Sequence, residues 1–181
     1  YNICTNRPSY SQLDDGLQYT SYFRYYKGNS QLKPTYTHDT SLIGSYRDFQ
    51  LTCDYTYSKN GMISWFDVME STPAVLSTDK HFSYPSIYSS MSYSPTLFRI
   101  WKASWNIWVN KQWLTYDGLS YNRPQYGMQW KNLIILQKDW MIIVNANGNL
   151  KGNADTYMAR PVMRIDMAVQ KNMNNWRFKL G

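Results

Sequence analysis

The stretch FQLTCDYTYSKNGMISWFDVME, residues 49–70, decides how the rest of the chain is interpreted. In its first ten residues, apolar and polar side chains alternate, and the apolar set is Phe49, Leu51, Cys53, Tyr55 and Tyr57. A period of two is the repeat of a β-strand with one buried face. The Asn60-Gly61 pair that follows is a strong signal for a tight turn. These signals predict a β-hairpin over residues 49–70.

Similar signals recur along the chain and predict about nine or ten short strands. A second hairpin is predicted from residues 96–102 and 106–116, with its turn at residues 103–105. Residues 130–136 and 140–144 are predicted strands on either side of residues 137–139, and residues 145–149 are a predicted turn. Residues 162–169 and 176–180 are the predicted closing strands. The proline-containing stretch 71–95 is predicted to be a connection.

The chain has 181 residues and a mass of 21.5 kDa, which fits a single domain, 1–181. Aromatic residues make up 17% of the chain, and Glu70 is its one glutamate, so the composition favours strands over helices. Residues 1–34 form a polar, Tyr-rich amino-terminal segment that we expect to be partly irregular. The predicted fold class is all-β, an antiparallel β-sandwich of the jelly-roll type.

Hydrophobic patterning predicts which side chains form the core of that sandwich. The predicted core consists of Leu51, Cys53, Tyr55, Leu133, Ile135, Ile142, Val144, Ile165 and Met167.

The longest uninterrupted apolar run, Trp140 to Val144, is too short for a membrane helix, so we expect a soluble protein with no membrane insertion. The net charge of +7 is dispersed along the chain, which argues against nucleic acid as a partner.

Cysteine and histidine are too few for a metal or disulfide framework. Cys4 and Cys53 leave one disulfide bridge open, and His38 and His81 lie in polar surroundings that suit surface positions. No cofactor is expected, and a structural calcium ion is left open.

The order of strands and motifs resembles the concanavalin A-like lectin/glucanase superfamily. The resemblance rests on the Trp-rich region 98–116, on Trp130-Lys-Asn-Leu-Ile-Ile-Leu, and on Trp140-Met-Ile-Ile-Val-Asn-Ala-Asn-Gly148, followed by two closing strands. It implies a β-sandwich that binds carbohydrate. Glycosidases of that superfamily carry an acidic motif for which this chain offers Trp65-Phe-Asp-Val-Met-Glu70. Because Trp65 occupies the nucleophile position and a retaining glycosidase needs two carboxyl groups, we expect no enzymatic activity.

Five large rings fall within residues 101–116, interleaved with amide side chains. Exposed rings stack on the C–H patches of sugars, while amides bind sugar hydroxyls. We predict Trp105 to lie in the exposed turn and Trp113 to face the core. The predicted ligand-binding residues are Trp105, Asn106, Trp108, Asn110 and Tyr116.

Three functions follow from these observations. The first is a non-catalytic, lectin-like domain that binds a glycan or cell-surface polysaccharide, as an adhesin or as a receptor-binding component of a virus or phage. The second is a structural jelly-roll subunit of a viral capsid or another self-assembling particle. The third, a glycan-active hydrolase or lyase, is disfavoured by the single glutamate. The expected location is extracellular or the virion surface.

Overall fold

The structure, a computed structural model, describes residues 1–69, 73–173 and 176–181. Its single α-helix within those residues is one turn, α1 (Tyr10–Leu13), and a 3₁₀ turn covers Gln137–Asp139. Nearly all the remaining regular structure is strand: β1 (Asn2–Asn6), β2 (Leu17–Ser21), β3 (Arg24–Lys27), β4 (Thr35–Tyr46), β5 (Phe49–Val68), β6 (Val75–Tyr93), β7 (Thr96–Leu97), β8 (Trp101–Gln112), β9 (Thr115–Tyr116), β10 (Leu119–Ser120), β11 (Gln125–Ile135), β12 (Trp140–Asn149), β13 (Gly152–Ala154), β14 (Tyr157–Ala159), β15 (Val162–Met173) and β16 (Trp176–Leu180).

One twelve-stranded sheet contains all the long strands. Its main path runs β1-β4-β5-β6-β8-β11-β12-β15-β16, and each neighbouring pair on this path is antiparallel. Strand β3 joins the side of β6 in parallel and also pairs with β2, while β9-β10 and β13-β14 are separate small hairpins. The predicted all-β, mainly antiparallel class is therefore confirmed.

The sheet has two unequal ends. At the short-turn end, Arg47 and Asp48 connect β4 to β5, and the 3₁₀ turn connects β11 to β12. At the long-loop end, residues 113–124 and 150–161 connect the strands and contain the two small hairpins. The loops at that end are therefore large enough to form structure of their own.

The predicted hairpin at residues 49–70 is wrong, because β5 continues through the Asn-Gly pair as one strand. Asn60 adopts a left-handed φ of 55°, and the pairing with β6 shifts register between Ser58 and Gly61. This irregularity is a β-bulge, which adds a residue to a strand without reversing it. On the side away from β4, β5 pairs with β6, which occupies most of the stretch predicted to be a connection.

The second predicted hairpin is also wrong, since residues 103–105 lie inside the continuous strand β8. The predicted turn at residues 145–149 is likewise part of a strand, β12. The strands around residues 137–139 and the strand at 162–169 are confirmed. The closing strand at 176–180 is confirmed as well.

The long strands share one sheet, whereas a sandwich packs two sheets face to face. Among the described residues, β1 pairs only with β4 and β16 only with β15, so the sheet is open at both edges. The predicted pair of facing sheets does not appear in these pairings.

The buried apolar cluster lies at the long-loop end and contains Ile63, Phe82 and Leu114, with Trp65, Tyr84, Tyr116 and Tyr121 packed against it. Most of the predicted core residues lie elsewhere and are accessible. Leu51 is 51% exposed, Ile165 is 54% exposed and Met167 is 65% exposed. The prediction of these residues as core is therefore wrong, and their exposure needs another explanation.

Gly127 of β11 lies directly opposite Trp108 of β8. A Cβ at Gly127 would fall 2.2 Å from the Trp108 ring, whereas a Cβ at Gly44 would meet nothing within 4 Å. The indole ring therefore occupies the space that a side chain at Gly127 would need.

We expect Gly127→Ala to lower the free energy of unfolding by about 1–3 kcal/mol, because the Trp108 ring must leave its position. The measurement is the urea midpoint, with Gly44→Ala as the control that should leave it nearly unchanged. The double variant Gly127→Ala/Trp108→Ala should lose less free energy of unfolding than the two single variants lose together. Equal effects at the two glycines would show that the ring does not fill this space.

Candidate functional site

The five predicted ligand-binding residues do not form one site. Side chains alternate along a strand, so Trp105 of β8 points to the face opposite that of Asn106, Trp108 and Asn110. Tyr116 lies in β9, in the cluster at the long-loop end, where its ring packs against Trp65 and Phe82. The structure thus brings together only Asn106, Trp108 and Asn110.

Trp105 and Trp113 have nearly the reverse of their predicted environments. Trp105 lies in mid-strand between two aromatic partners, and its buried Nε1 has no hydrogen-bond acceptor among the described residues. Trp113 is 40% exposed, and the Lys111 ammonium lies 5.1 Å from the centre of its ring. The prediction of an exposed Trp105 and an inward Trp113 is therefore wrong.

One face of the sheet is mainly apolar across eight neighbouring strands, and its polar members are Thr40, Ser89, Lys111, Asn132 and Lys171. The cross-strand partners identify the residues that share a face, because directly opposed residues point the same way. We call this surface the apolar face; its members include Leu42, Tyr46, Phe49, Leu51, Cys53, Tyr55, Ile87, Met91, Tyr93, Trp101, Trp105, Ile107, Val109, Tyr126, Met128, Trp130, Ile134, Ile142, Val144, Met163, Ile165, Met167, Val169, Phe178 and Leu180.

This apolar face is open to its surroundings. Leu42, Ile107 and Met163 are all exposed, and no layer of helix or sheet covers them among the described residues. A continuous apolar surface of this extent marks an interaction with a protein or a membrane.

Aromatic rings form a row across the apolar face towards the short-turn end. Direct cross-strand pairing joins them in the order Tyr46, Phe49, Tyr93, Trp105 and Trp130. Ring centres are 4.2 Å apart for Phe49 and Tyr93 and 5.7 Å apart for Tyr93 and Trp105. Belts of aromatic residues are typical of the boundary between hydrocarbon and water.

The opposite face of the same strands is mainly polar, with an apolar minority of Ile43, Tyr88, Trp108, Leu133, Ile135, Met141 and Ile143. We call it the polar face; its members include Asp39, Ser41, Gln50, Thr52, Asp54, Thr56, Ser90, Ser92, Lys102, Ser104, Asn106, Asn110, Gln125, Gln129, Lys131, Asn145, Asn147, Arg164, Asp166, Gln170, Asn172, Arg177 and Lys179. Strands with an apolar outer face and a polar inner face are the pattern of transmembrane β-barrels.

A family model described as an outer membrane protein beta-barrel family matches residues 1–181. The chain belongs to this outer membrane β-barrel family. No curated protein and no solved structure matches it.

Family membership corrects several predictions made from the sequence. The resemblance to concanavalin A-like lectins is wrong, and with it the lectin and capsid functions and the glycan partner. The predicted absence of membrane insertion is wrong because an outer membrane barrel family implies insertion. The protein is located in the cell envelope, at the outer membrane, and not on a virion surface.

The sequence analysis did not identify lipid as the environment of the apolar side of each strand. The described residues contain no helix that is long and apolar enough to cross a membrane. Alternating strands carry a weaker membrane signal than an apolar helix does, because only every second residue faces lipid. The period of two was visible in the sequence, but a protein core and a lipid both satisfy it.

Asn132 is the one amide side chain on the apolar face among the described strands, and it is 7% exposed. Its Oδ1 accepts a hydrogen bond from Trp101 Nε1 at 3.0 Å, and its Nδ2 donates to the Val144 carbonyl at 3.2 Å. A polar group in an apolar environment costs free energy unless it is paired. Asn132 is therefore compatible with a hydrocarbon environment.

The structure locates the metal, disulfide and glycosidase-like candidates that the sequence offered. No group of three or more His, Cys, Asp or Glu side chains there could hold a metal ion. Cys4 and Cys53 are both free thiols, so the bridge left open by the sequence does not form. In the glycosidase-like motif, Asp67 accepts a hydrogen bond from Trp65 Nε1, and Glu70 lies outside the described residues.

A buried carboxylate, Asp79 of β6, fastens the amino-terminal segment to the long-loop end of the sheet. It is 5% exposed and accepts hydrogen bonds from Gln12 Nε2 at 2.9 Å, Tyr26 Oη at 3.2 Å and Ser64 Oγ at 2.8 Å. Asn29 Nδ2 donates to its backbone carbonyl at 3.0 Å. Desolvation, followed by the charge of Asp79, raises the pKa of Tyr26 to about 12, so this phenol stays a donor at neutral pH.

We expect Asp79→Ala to release the amino-terminal segment, because hydrogen bonds to a charged group contribute about 1.5–3 kcal/mol and the donors would be left unpaired. Limited proteolysis should cut within residues 1–34 faster than in the parent, while far-ultraviolet circular dichroism keeps its strand signal. Asp117→Ala, in an exposed turn, is the matched control. Unchanged cleavage in Asp79→Ala would rule out this anchoring role.

Proposed function

We propose that residues 1–181 form a single unit of transmembrane β-barrel wall in the outer membrane. The apolar face contacts lipid hydrocarbon, and the polar face lines a water-filled interior. The observation that carries the proposal is the division of the sheet into a mainly apolar and a mainly polar face from β4 to β16, in a chain of this family. A water-soluble sheet would leave the apolar face exposed to solvent at a large cost in free energy.

The height of the apolar face supports this orientation. On β5 it extends from Phe49, in the aromatic row, to Tyr57, which pairs with His38 on the neighbouring strand. Eight residue steps at about 3.4 Å per residue give roughly 27 Å of strand. A strand tilt of about 40° reduces this to roughly 21 Å of height, close to the apolar band of about 25 Å found in such barrels.

The lengths of the connections favour one direction in the membrane. Outer-membrane barrels have short turns on the periplasmic side and longer loops outside the cell. By this rule the short-turn end faces the periplasm. The long-loop end, with the Ile63–Phe82–Leu114 cluster and the amino-terminal segment held by Asp79, then faces the cell exterior.

The two edges of the sheet require neighbouring strands if the sheet is embedded in a membrane. Residues 40–46 of β4 and 162–168 of β15 have a strand neighbour on one side only, among the residues described. Lipid offers no hydrogen bonds to a free strand edge, so an embedded wall has to be closed. We infer that both edges are paired with strands in the membrane.

We expect Met167→Arg to destabilise the membrane-inserted protein by about 2–4 kcal/mol, because Met167 lies midway along the apolar face of β15 and a charge there meets hydrocarbon. The readout is the urea unfolding midpoint in phospholipid vesicles. Gln170→Arg is the matched control, since it places the same side chain on the polar face of the same strand, and should have little effect.

The opposite ranking, with Gln170→Arg the more damaging variant, would reverse the assignment of the two faces. Equal and small effects would show that neither face contacts hydrocarbon. A second readout, recovery of the parent chain in the membrane fraction after washing with alkaline carbonate, separates insertion from loose attachment.

A further inference from the structure

The charges on the polar face are unevenly distributed across the sheet. Among the described residues, the polar face of β8, β11, β12, β15 and β16 carries five cations and one anion: Lys102, Lys131, Arg164, Arg177 and Lys179, with Asp166. The polar face of β4 and β5, within the height of the apolar band, carries two anions, Asp39 and Asp54, and no cation. Strand β6, between the two groups, is uncharged at that height.

We call the polar face of β8, β11, β12, β15 and β16 the basic half. Its single anion, Asp166, does not cancel the positive charge of its five cations. Asp166 is paired with Arg164, whose Nε lies 2.9 Å from a carboxylate oxygen. This pairing leaves Lys102, Lys131, Arg177 and Lys179 without an ion-pair partner among the described residues. The basic half therefore keeps a net positive charge.

The basic half also has a hollow with suitable donors. A depression of about 330 Å³ on the polar face is lined by Gln129, Lys131, Asn145, Asn147, Arg164 and Asp166. Lys131 and Asn145 are direct cross-strand partners, as are Asn147 and Arg164. Lysine, arginine and amide N–H groups are the donors that proteins use for carboxylate and phosphate oxygens.

We propose that this basic half of the polar face attracts and binds small anionic solutes carrying carboxylate or phosphate groups, while the β4–β5 half repels them. The inference rests on the proposed function, because it requires the polar face to be lined by water. A wall bearing one sign of charge beside low-dielectric protein concentrates counter-ions of the opposite sign. Lysine and arginine side chains lining pores select anions in the same way.

The test measures the local potential on each half of the polar face in the membrane-inserted protein. Single cysteines are placed by Asn145→Cys, opposite Lys131, and by Ser41→Cys, opposite Asp54, after Cys4→Ser and Cys53→Ser. Each is treated with two methanethiosulfonates of similar size, the anionic sulfonatoethyl reagent and the cationic trimethylammonium-ethyl reagent. Every rate is divided by that reagent's rate with a small thiol in solution.

We expect the anionic-to-cationic rate ratio to be about sevenfold or more higher at Asn145→Cys than at Ser41→Cys in dilute salt. The reagents carry opposite charges, so a potential difference of about one kT between the halves is sufficient for this change. The difference should shrink in 1 M salt, where the screening length falls to about 3 Å. Adding Lys131→Gln to Asn145→Cys should lower its ratio, whereas adding Lys151→Gln, outside the polar face, should not.

Equal ratios at the two positions, with both thiols reactive, would overturn the charge division and leave the water-lined wall intact. Failure of both thiols to react with either reagent would overturn the proposed water-lined face and this inference with it. Equilibrium dialysis of inorganic phosphate and citrate against the detergent-solubilised parent chain tests binding directly. If the Lys131→Gln variant retains as much phosphate and citrate as the unsubstituted chain, the anion site lies elsewhere.

Discussion

Hydrocarbon offers no hydrogen bonds, so every backbone N–H and C=O of an embedded strand has to pair with a neighbouring strand. This constraint accounts for the long, continuous ladders that join β4 to β15 within the apolar band. Because side chains alternate along each strand, a continuous sheet then has one face for lipid and one for water. The aromatic row and the internally paired Asn132 follow from the first face, and the charge pattern belongs to the second.

The buried cluster has a different physical origin from the rest of the sheet. In the proposed orientation, β5 and β6 continue beyond the apolar band into water, where burial of apolar surface again drives packing. Ile63, Phe82 and Leu114 pack together there, and Asp79 fastens the amino-terminal segment alongside. In the proposed arrangement, the apolar residues of the long strands face lipid, whereas those of the Ile63–Phe82–Leu114 cluster pack against one another at the long-loop end.

The sequence predicted the strand class and several strand positions, because a period of two is a local property of residues such as Phe49 to Tyr57. It could not predict what the apolar side of each strand contacts, since core and lipid select the same side chains. Leu51, Ile165 and Met167 therefore match the pattern of core residues, although they lie on the exposed apolar face. Asn60-Gly61 misled because a left-handed residue forms a bulge as readily as a turn, and only the partner strand decides between them. Sequence proximity likewise does not show which side chains share a face, since Trp105 and Asn106 are neighbours in sequence but point to opposite faces.

The central claim is that one face of the sheet contacts lipid and the other contacts water, residue by residue. The most direct measurement is a nitroxide scan along β15, Val162–Met173, in phospholipid vesicles, recording accessibility to oxygen and to a water-soluble nickel chelate. The account predicts an alternation of period two, with oxygen maxima at Met163, Ile165, Met167 and Val169 and nickel maxima at Arg164, Asp166, Ala168 and Gln170. Uniform access to the nickel chelate at all positions, or oxygen maxima without a period of two, would contradict it.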